Sequence, residues 1–326
     1  MIELDYNLLE ELEHRLLPLL TRFGIAVEQI QPIGIIGRGA SSTVFSLLIN
    51  GKYHVLKVYY SHTSYLREQR NRRRLIWPPR IVLASRQNEN SLGYDLVITA
   101  VPEGTSFNSD YLLDWVQEKM GRHLLELHRL RRARKVAVSG LRQALDNVEE
   151  GALKAGDIYG PSGREIISAM LADVRIWLTQ NNKIMRVGSS VLHNDLWWDN
   201  IIVAKDDVFL IDWESMKTGD YAEDLAYGRV MMDYTAPHQE RKFWQTERKE
   251  DVADRFWGGI VEMYTHEFED DTLADRLKFY LVLQTLRRLQ DMAYSDLPPN
   301  IELLHIWIDQ LPGFWQRGVD RNESSS

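Results

Sequence analysis

The sequence contains no cysteine among its 326 residues. Disulfides, zinc sites with thiolate ligands and cysteine-nucleophile enzymes are therefore excluded. Because disulfides persist mainly in oxidising compartments, a chain without cysteine is compatible with the cytosol. We therefore expect a cytoplasmic protein whose core and chemistry depend on other side chains.

Long apolar runs are also absent, since no stretch approaches the roughly 20 apolar residues that a membrane-spanning helix needs. The first residues, M-I-E-L-D-Y, are acidic, whereas a signal peptide begins with a basic region. The composition, 44% hydrophobic and 26% charged, is typical of a folded globular protein. The sequence therefore predicts no association with a membrane.

Negative charge is unevenly distributed along the chain. From Val191 to the end there are 14 Lys and Arg against 27 Asp and Glu, net −13, whereas residues 1–190 are net +5. The acidic excess is either a solvated surface or a field that attracts a cationic substrate. Nucleic acid is a poor partner for this acidic half. We interpret the basic cluster Arg129–Lys135 as an exposed helix end.

Three oxygen-bearing side chains, Asp195, Asn200 and Asp212, follow one another within 18 residues. Two apolar runs, 201–204 and 208–211, enclose a Lys-Asp-Asp turn and predict a hairpin. A hairpin would bring Asn200 and Asp212 close together, because they lie at its outer ends. An Asn and an Asp, with a second Asp nearby, suit a hard ion such as Mg²⁺ and a hydroxyl to be activated.

Hydrophobic periodicity predicts three parts of the chain. Residues 1–29 carry leucines at helical spacing, with Pro18 as an expected break. Residues 30–101 alternate as strands, with Asn50-Gly51 as a hairpin turn and a polar helix near 64–75. We place a lobe boundary after residue 101, where Pro, Glu and Gly follow a buried strand. Residues 102–326 form the second lobe.

The second lobe is mainly helical. Apolar stripes predict helices at 111–130, 164–180, 222–234, 250–268, 272–292 and 300–316. The segment 136–163 is loosely patterned and contains Gly151, Gly156, Gly160 and Gly163, so we expect a mobile insertion there.

A glycine-rich turn and a lysine in an apolar strand suggest a phosphate-binding region. Gly37 and Gly39 allow close backbone approach, with amide groups free for phosphate oxygens. Lys57 would supply a point charge, held by Glu68 on the following helix. Each feature also has a plain structural explanation. The glycines can serve a β-turn, and an edge-strand lysine can reach solvent along its own stem.

Together these motifs resemble the protein-kinase-like superfamily, and within it the aminoglycoside phosphotransferase and choline kinase group. The similarity covers about residues 30 to 230 and is strongest at H-N-D-L-x-x-x-N, residues 193–200. L-I-D-W-E follows at 210–214, and G-D-Y-A-E-D-L-A at 219–226. The chain has no A-P-E segment and no long activation loop, as in small-molecule kinases. The resemblance implies an α+β, bilobal protein-kinase-like fold, with a small antiparallel sheet and one helix in its first lobe.

The resemblance also implies roles for individual residues. Asp195 would orient or deprotonate the acceptor hydroxyl, His193 would be a scaffold of the catalytic loop, and Asp224 would brace that loop. Asn200 would serve both the catalytic loop and, with Asp212, the Mg²⁺ site. ATP would be bound by the glycine loop, the lysine pair and the strand that reaches the hinge, namely Gly37, Gly39, Ser41, Ser42, Val44, Lys57, Glu68, Ile98, Thr99, Ala100 and Val101.

Three departures from the family pattern stand out. Position 42 is Ser where the glycine loop of protein kinases has Gly. Lys57 and Glu68 are separated by only eleven positions, so the helix must begin promptly. Trp197 and Trp198 replace smaller or polar residues, and they either pack the loop or face the substrate.

The implied activity is transfer of the γ-phosphate of ATP to the hydroxyl of a small molecule, with no obligate protein partner. Seven of the ten tryptophans lie in the acidic half, and with carboxylates they could enclose a quaternary ammonium group or simply form core. A choline-like amino alcohol and a polycationic aminoglycoside both fit. The alternative function is an atypical protein-directed kinase or a regulatory nucleotide-binding pseudokinase.

Overall fold

The computed structural model describes residues 2–38, 41–73, 75, 80–90, 92–100, 104–107, 113–130, 132–197, 200–235, 249–295 and 299–316. Its helices are α1 (Ile2–Arg22), α2 (His62–Arg72), α3 (Asp114–Arg129), α4 (Val138–Tyr159), α5 (Pro161–Gln180), α6 (Tyr221–Thr235), α7 (Lys249–Phe268), α8 (Leu273–Ala293) and α9 (Ile301–Gln316). Its strands are β1 (Ile30–Arg38), β2 (Ser42–Ile49), β3 (Lys52–Tyr59), β4 (Ile81–Ser85), β5 (Asp95–Ala100), β6 (Gly104–Ser106), β7 (Arg132–Lys135), β8 (Gly188–Leu192), β9 (Ile201–Ala204), β10 (Val208–Leu210) and β11 (Lys217–Gly219). The predicted α+β class is confirmed.

The chain folds into two compact units. Unit 1 comprises Met1–Ser106 with Ile201–Ser215, and unit 2 comprises Phe107–Asn200 with Met216–Ser326. The sequence places residues 201–215 with the helical lobe, but β9 pairs with β6 in a small sheet, so they join unit 1. The boundary predicted after residue 101 stays a prediction, and residues 101–103 lie outside the described residues.

Unit 1 is built on a five-stranded antiparallel sheet in the order β1-β2-β3-β5-β4. The turn between β2 and β3 is Asn50-Gly51, whose φ angles of 51° and 71° lie in the left-handed region. That conformation is tolerated best by Asn and Gly, which is why this dipeptide closes the hairpin. The strands pair from Ile49 with Lys52 through to Ser42 with Tyr59, and this register sets the position of Lys57.

One face of the sheet packs on α1. Leu12, Leu16, Leu19 and Leu20 are at most 4% exposed and join the sheet residues in one apolar core. The expected break at Pro18 is wrong, because α1 continues through it. An interior proline costs a helix about 3 kcal/mol, and burial of four leucines offsets a cost of that size.

Unit 2 consists of α3 to α9 and a three-stranded sheet in the order β11-β8-β7. The strand β8 leads directly into the segment that begins at His193. The basic cluster is divided in the structure: α3 ends at Arg129, and Arg132–Lys135 form the edge strand β7.

The mobile insertion predicted at 136–163 is wrong, because most of this segment is the 22-residue helix α4. Two glycines of this helix, Gly151 and Gly156, are contact points where a side chain would not fit. A Cβ on Gly151 would lie 2.5 Å from Gln290 Cγ, and one on Gly156 would lie 2.9 Å from the backbone of Arg164. Close packing against α8 and α5 therefore requires glycine at these two positions. The glycines interrupt the apolar pattern by which the sequence would predict a helix.

The other predicted helices of the second lobe are present as α3 and α5 to α9, with shifts of a few residues at their ends. Within the part of the chain that the structure describes, no helix is long and apolar enough to cross a bilayer.

Candidate active site

The ammonium group of Lys57 lies between two carboxylates in unit 1. Lys57 is in β3, the middle strand of the sheet, and is 6% exposed. Its Nζ is 2.9 Å from Glu68 Oε2 and 2.8 Å from Asp212 Oδ1. The predicted pairing of Lys57 with Glu68 is therefore confirmed, and Asp212 joins the same cluster.

Glu68 is fully buried on α2, and both oxygens of its carboxylate accept hydrogen bonds. Besides Lys57, the Tyr59 hydroxyl donates to Oε2 at 2.6 Å and the Arg72 guanidinium donates to Oε1 at 2.9 Å. Burial alone would raise the pKa of Glu68, but the charges of Lys57 and Arg72 outweigh it and the pKa is lowered. Glu68 is therefore ionised at neutral pH.

Lys57 shows the complementary balance. Burial alone would lower its pKa, but the charges of Glu68 and Asp212 outweigh burial and the pKa is raised. Lys57 therefore stays protonated and positively charged within the sheet at neutral pH. A buried cation is tolerated only when it is paired in this way.

Asp212 follows the hairpin that the sequence predicts. Strands β9 and β10 pair antiparallel, from Ile201 with Leu210 to Val203 with Val208. Asp212 has a φ of 60°, a left-handed conformation that costs a non-glycine residue about 1 kcal/mol or more. Its side chain is 34% exposed, so it can meet a ligand while it holds Lys57.

The turn after Asp212 is anchored to α2 and to the glycine-rich segment. The Asn71 side-chain amide donates to the carbonyls of Trp213 and Glu214, at 2.8 and 3.2 Å. The Ser41 hydroxyl donates to Glu214 Oε2 at 2.7 Å. Carboxylate oxygens of Glu68, Asp212 and Glu214 all lie within 4.8 Å of one another, a grouping that could hold a metal ion.

Six of the remaining residues predicted to bind the nucleotide lie on three strands of the same sheet. Gly37 is in β1 opposite Val44 of β2, and Ser42 begins β2. Ile98, Thr99 and Ala100 end β5. Gly39 and Val101 lie outside the described residues. Nucleotide contact by any of these residues stays a prediction.

The predicted catalytic loop lies in unit 2, where one carboxylate holds its backbone. The amide of His193 donates to Asp224 Oδ2 at 2.6 Å, and the amide of Asn194 donates to Asp224 Oδ1 at 2.8 Å. Asn194 has a φ of 62°, so the chain turns sharply there. The bracing role predicted for Asp224 is therefore confirmed.

Asp224 is itself fixed by buried neighbours. His128 Nε2 is 3.1 Å from Asp224 Oδ2, and the other ring nitrogen of His128 bonds to the Tyr264 hydroxyl. Burial would raise the pKa of Asp224, but these hydrogen bonds and the neighbouring histidines lower it. His193 itself is completely buried, which suits a scaffold residue.

The carboxylate of Asp195 is half-buried and held on both oxygens. The Tyr227 hydroxyl donates to Oδ1 at 2.8 Å, and Asn200 Nδ2 donates to Oδ2 at 2.9 Å. Asn200 Nδ2 also donates to the Asp195 carbonyl at 2.8 Å. Asp195 and Asn200, five positions apart in the motif, are therefore direct neighbours.

Sequence reasoning missed the supporting residues, above all Asn71, Arg72, His128 and Tyr227. For Tyr227 a signal was available: it lies three positions after Asp224 in a predicted helix, and such residues share a face. Asn71 and His128 act across 142 and 96 positions respectively, and no local pattern indicates their partners.

Comparison with known proteins defines the class. The chain belongs to the phosphotransferase enzyme family, whose sequence model matches residues 35–259. It is therefore a phosphotransferase, as the motifs predict. A search of curated proteins finds no match.

Solved structures agree on the fold. Choline kinase from Cryptosporidium parvum superposes with a TM-score of 0.59 at 12% identity, covering 90% of this chain and 91% of its own. A thermostable mutant of aminoglycoside phosphotransferase APH(4)-Ia, in ternary complex with AMP-PNP and hygromycin B, gives 0.57 at 13%, covering 92% and 97%. An ethanolamine kinase from Plasmodium vivax gives 0.53 at 14%, covering 88% and 83%. The predicted protein-kinase-like fold is confirmed.

Proposed function

We propose that this phosphotransferase moves the γ-phosphoryl group of ATP to the hydroxyl of a small molecule. The acceptor oxygen forms a bond to the γ-phosphorus while the bond from that phosphorus to the bridging oxygen breaks, and ADP leaves. The acceptor's proton passes to Asp195. Such a reaction needs a protein to supply position and charge neutralisation more than covalent chemistry.

The observation that carries this proposal is the placement of Lys57. Its ammonium is buried in a sheet, and both Glu68 and Asp212 lie within 3 Å of it. A lysine with only a structural role would extend its ammonium group into solvent, because burial of the charge costs free energy of hydration. A lysine held by a helix glutamate suits the α- and β-phosphates of a nucleotide. The nucleotide analogue AMP-PNP in the aminoglycoside phosphotransferase complex supports the same ligand class.

Asp195 is proposed to orient the acceptor hydroxyl and take its proton. Its two side-chain oxygens each accept one hydrogen bond, from Tyr227 and Asn200. Each oxygen keeps a further lone pair that can accept a hydrogen bond from the hydroxyl of the small molecule. A half-buried carboxylate with a fixed plane suits a group that must meet a substrate in one orientation.

The donor set of the proposed metal ligands fits Mg²⁺. Asp212 presents a partly exposed carboxylate. Asn200 directs its amide nitrogen to Asp195, so its carbonyl oxygen is the atom that would meet a cation. Bound Mg²⁺ would neutralise charge on the phosphate oxygens. We propose Asn200 and Asp212 as the residues that hold it.

The acceptor is proposed to be a small, cationic or amino-alcohol compound of the choline or aminoglycoside kind. Choline, ethanolamine and aminoglycoside kinases among the structural relatives support this class. Enclosure of a quaternary ammonium group by tryptophans has less support, because three of the candidate tryptophans are at most 5% exposed, namely Trp213, Trp257 and Trp307. Trp315 packs against the ammonium of Lys278, at 4.5 Å. Carboxylates therefore suit recognition of the amine better than tryptophans do.

The experiment that tests the assignment compares Asp195→Ala with Asp206→Ala, which removes an exposed carboxylate in the turn between β9 and β10. We expect Asp195→Ala to bind ATP nearly as the wild type does, by calorimetric titration, and to lose phosphoryl transfer. Asp206→Ala should keep both. Substantial transfer by Asp195→Ala would reject Asp195 as the acceptor-activating residue.

A further inference from the structure

Tyr227 is a buried residue that contacts Asp195 and that no motif assigns. It lies on α6, is 9% exposed, and donates its hydroxyl to Asp195 Oδ1 at 2.8 Å. A phenol hydroxyl is a single directional donor, so this bond fixes one oxygen of the carboxylate. Asn200 fixes the other at 2.9 Å, and rotation of the carboxylate would break both bonds.

Helix α6 holds the backbone and the side chain of the catalytic loop together. Asp224 accepts the amides of His193 and Asn194, and Tyr227 lies three positions further on the same helix. Residues at this spacing share one helical face. Helix α6 therefore holds both the backbone of the loop at residues 193–194 and the carboxylate of Asp195.

Tyr227 is also held from its other side. The guanidinium of Arg288 on α8 lies 5.5 Å from the centre of the Tyr227 ring, and Arg288 pairs with Asp291 at 2.9 Å. Burial, followed by the charge of Asp195, raises the pKa of Tyr227 above its ordinary range. The phenol therefore remains a hydrogen-bond donor at neutral pH.

We propose that Tyr227 is a positioning residue that fixes the Asp195 carboxylate in the orientation required by the acceptor hydroxyl. This inference rests on the proposed role of Asp195. A positioning residue acts on the turnover step, because a misplaced base lowers the rate of transfer even when both substrates bind. Its loss should therefore change kcat far more than the KM for ATP.

The test is Tyr227→Phe, which removes one hydroxyl and keeps the ring. Tyr159→Phe is the matched control, since Tyr159 also donates to an aspartate, Asp309, at 2.8 Å, far along the chain from the loop. We expect kcat of Tyr227→Phe to fall about tenfold or more, with the KM for ATP within about twofold of wild type. Tyr159→Phe should match the wild type in both constants.

Circular dichroism and thermal unfolding of both variants show that each is folded. If Tyr227→Phe does not fold, Tyr227→Met, which also lacks the donor, takes its place. Wild-type kcat in a folded Tyr227 variant, with Asp195→Ala inactive, would overturn the positioning role and leave the proposed function intact. Active Asp195→Ala would instead reject the proposed function itself.

Discussion

Lys57 illustrates how neighbouring carboxylates hold a lysine in a buried position. A cation at 6% exposure loses its hydration, and two carboxylates within 3 Å restore the balance. Glu68 would remain satisfied without Lys57, because Tyr59 and Arg72 also donate to it. Because Glu68 keeps these two donors, we expect the fold to form without the lysine, and we infer that the charge serves a ligand.

The burial and pairing of Lys57 predict the effect of Lys57→Met. We expect the variant to fold and its kcat/KM for ATP to fall about 100-fold or more, because one preorganised charge on the phosphates is lost. Lys52→Met is the control, since Lys52 is exposed on the same strand. Steady-state kinetics over a range of ATP concentrations measure both. Equal losses in the two variants would show that Lys57 has no special role.

Some helices and strands can be predicted from the sequence, and others cannot. The hairpin β9–β10, the lysine strand β3 and helix α6 follow from period, turn residues and motif. Helix α4 was missed because glycines at its contacts with α5 and α8 dilute the apolar pattern. The pairing of Lys57 with Glu68 was predictable from the motif. The support from Asn71 and His128 was not, since it arises only when distant segments pack.

The packing of α4 gives a prediction with an internal control. Gly151→Ala would place a Cβ 2.5 Å from Gln290 Cγ and 2.8 Å from Tyr294, so we expect destabilisation of about 1–3 kcal/mol. Gly140→Ala, in the same helix with nothing within 4 Å, should be neutral or stabilising by up to about 1 kcal/mol. Urea unfolding measures both. Equal effects of the two substitutions would contradict the close contact.

Helix α6 braces the proposed catalytic loop through Asp224, and these hydrogen bonds predict a dependence of stability on pH. The folded-state pKa of Asp224 is lowered, so its contribution is complete above the ordinary value of about 3.9 and is lost as pH falls through the folded pKa. Asp224→Asn should therefore be less stable at pH 7, by about 3 kcal/mol.

The stability difference between wild type and Asp224→Asn should shrink as the solution is acidified below the ordinary aspartate pKa of about 3.9 and through the lowered folded-state pKa, where Asp224 itself becomes protonated. Urea titrations at neutral and acidic pH measure it, and Asp206→Asn, an exposed substitution, provides the baseline. A difference that stays constant with pH would argue against an ionised brace.

At the scale of the whole molecule, the family match over residues 35–259 establishes a phosphotransferase. The net charge of −13 from Val191 to the end is compatible with the cationic acceptor that we propose and with a solvated acidic surface. The choline kinase, ethanolamine kinase and aminoglycoside phosphotransferase structures share this fold at 12–14% sequence identity.

The most direct measurement follows labelled phosphate from γ-labelled ATP with Mg²⁺, offered at once to a mixture of choline, ethanolamine and aminoglycosides and to cell protein. The account predicts label in the small-molecule fraction, lost with EDTA and in Asp195→Ala. Label only in the protein fraction would support the atypical protein kinase. An absence of transfer from the wild type to any acceptor, with ATP still bound, would contradict the proposed kinase activity in favour of a nucleotide-binding pseudokinase.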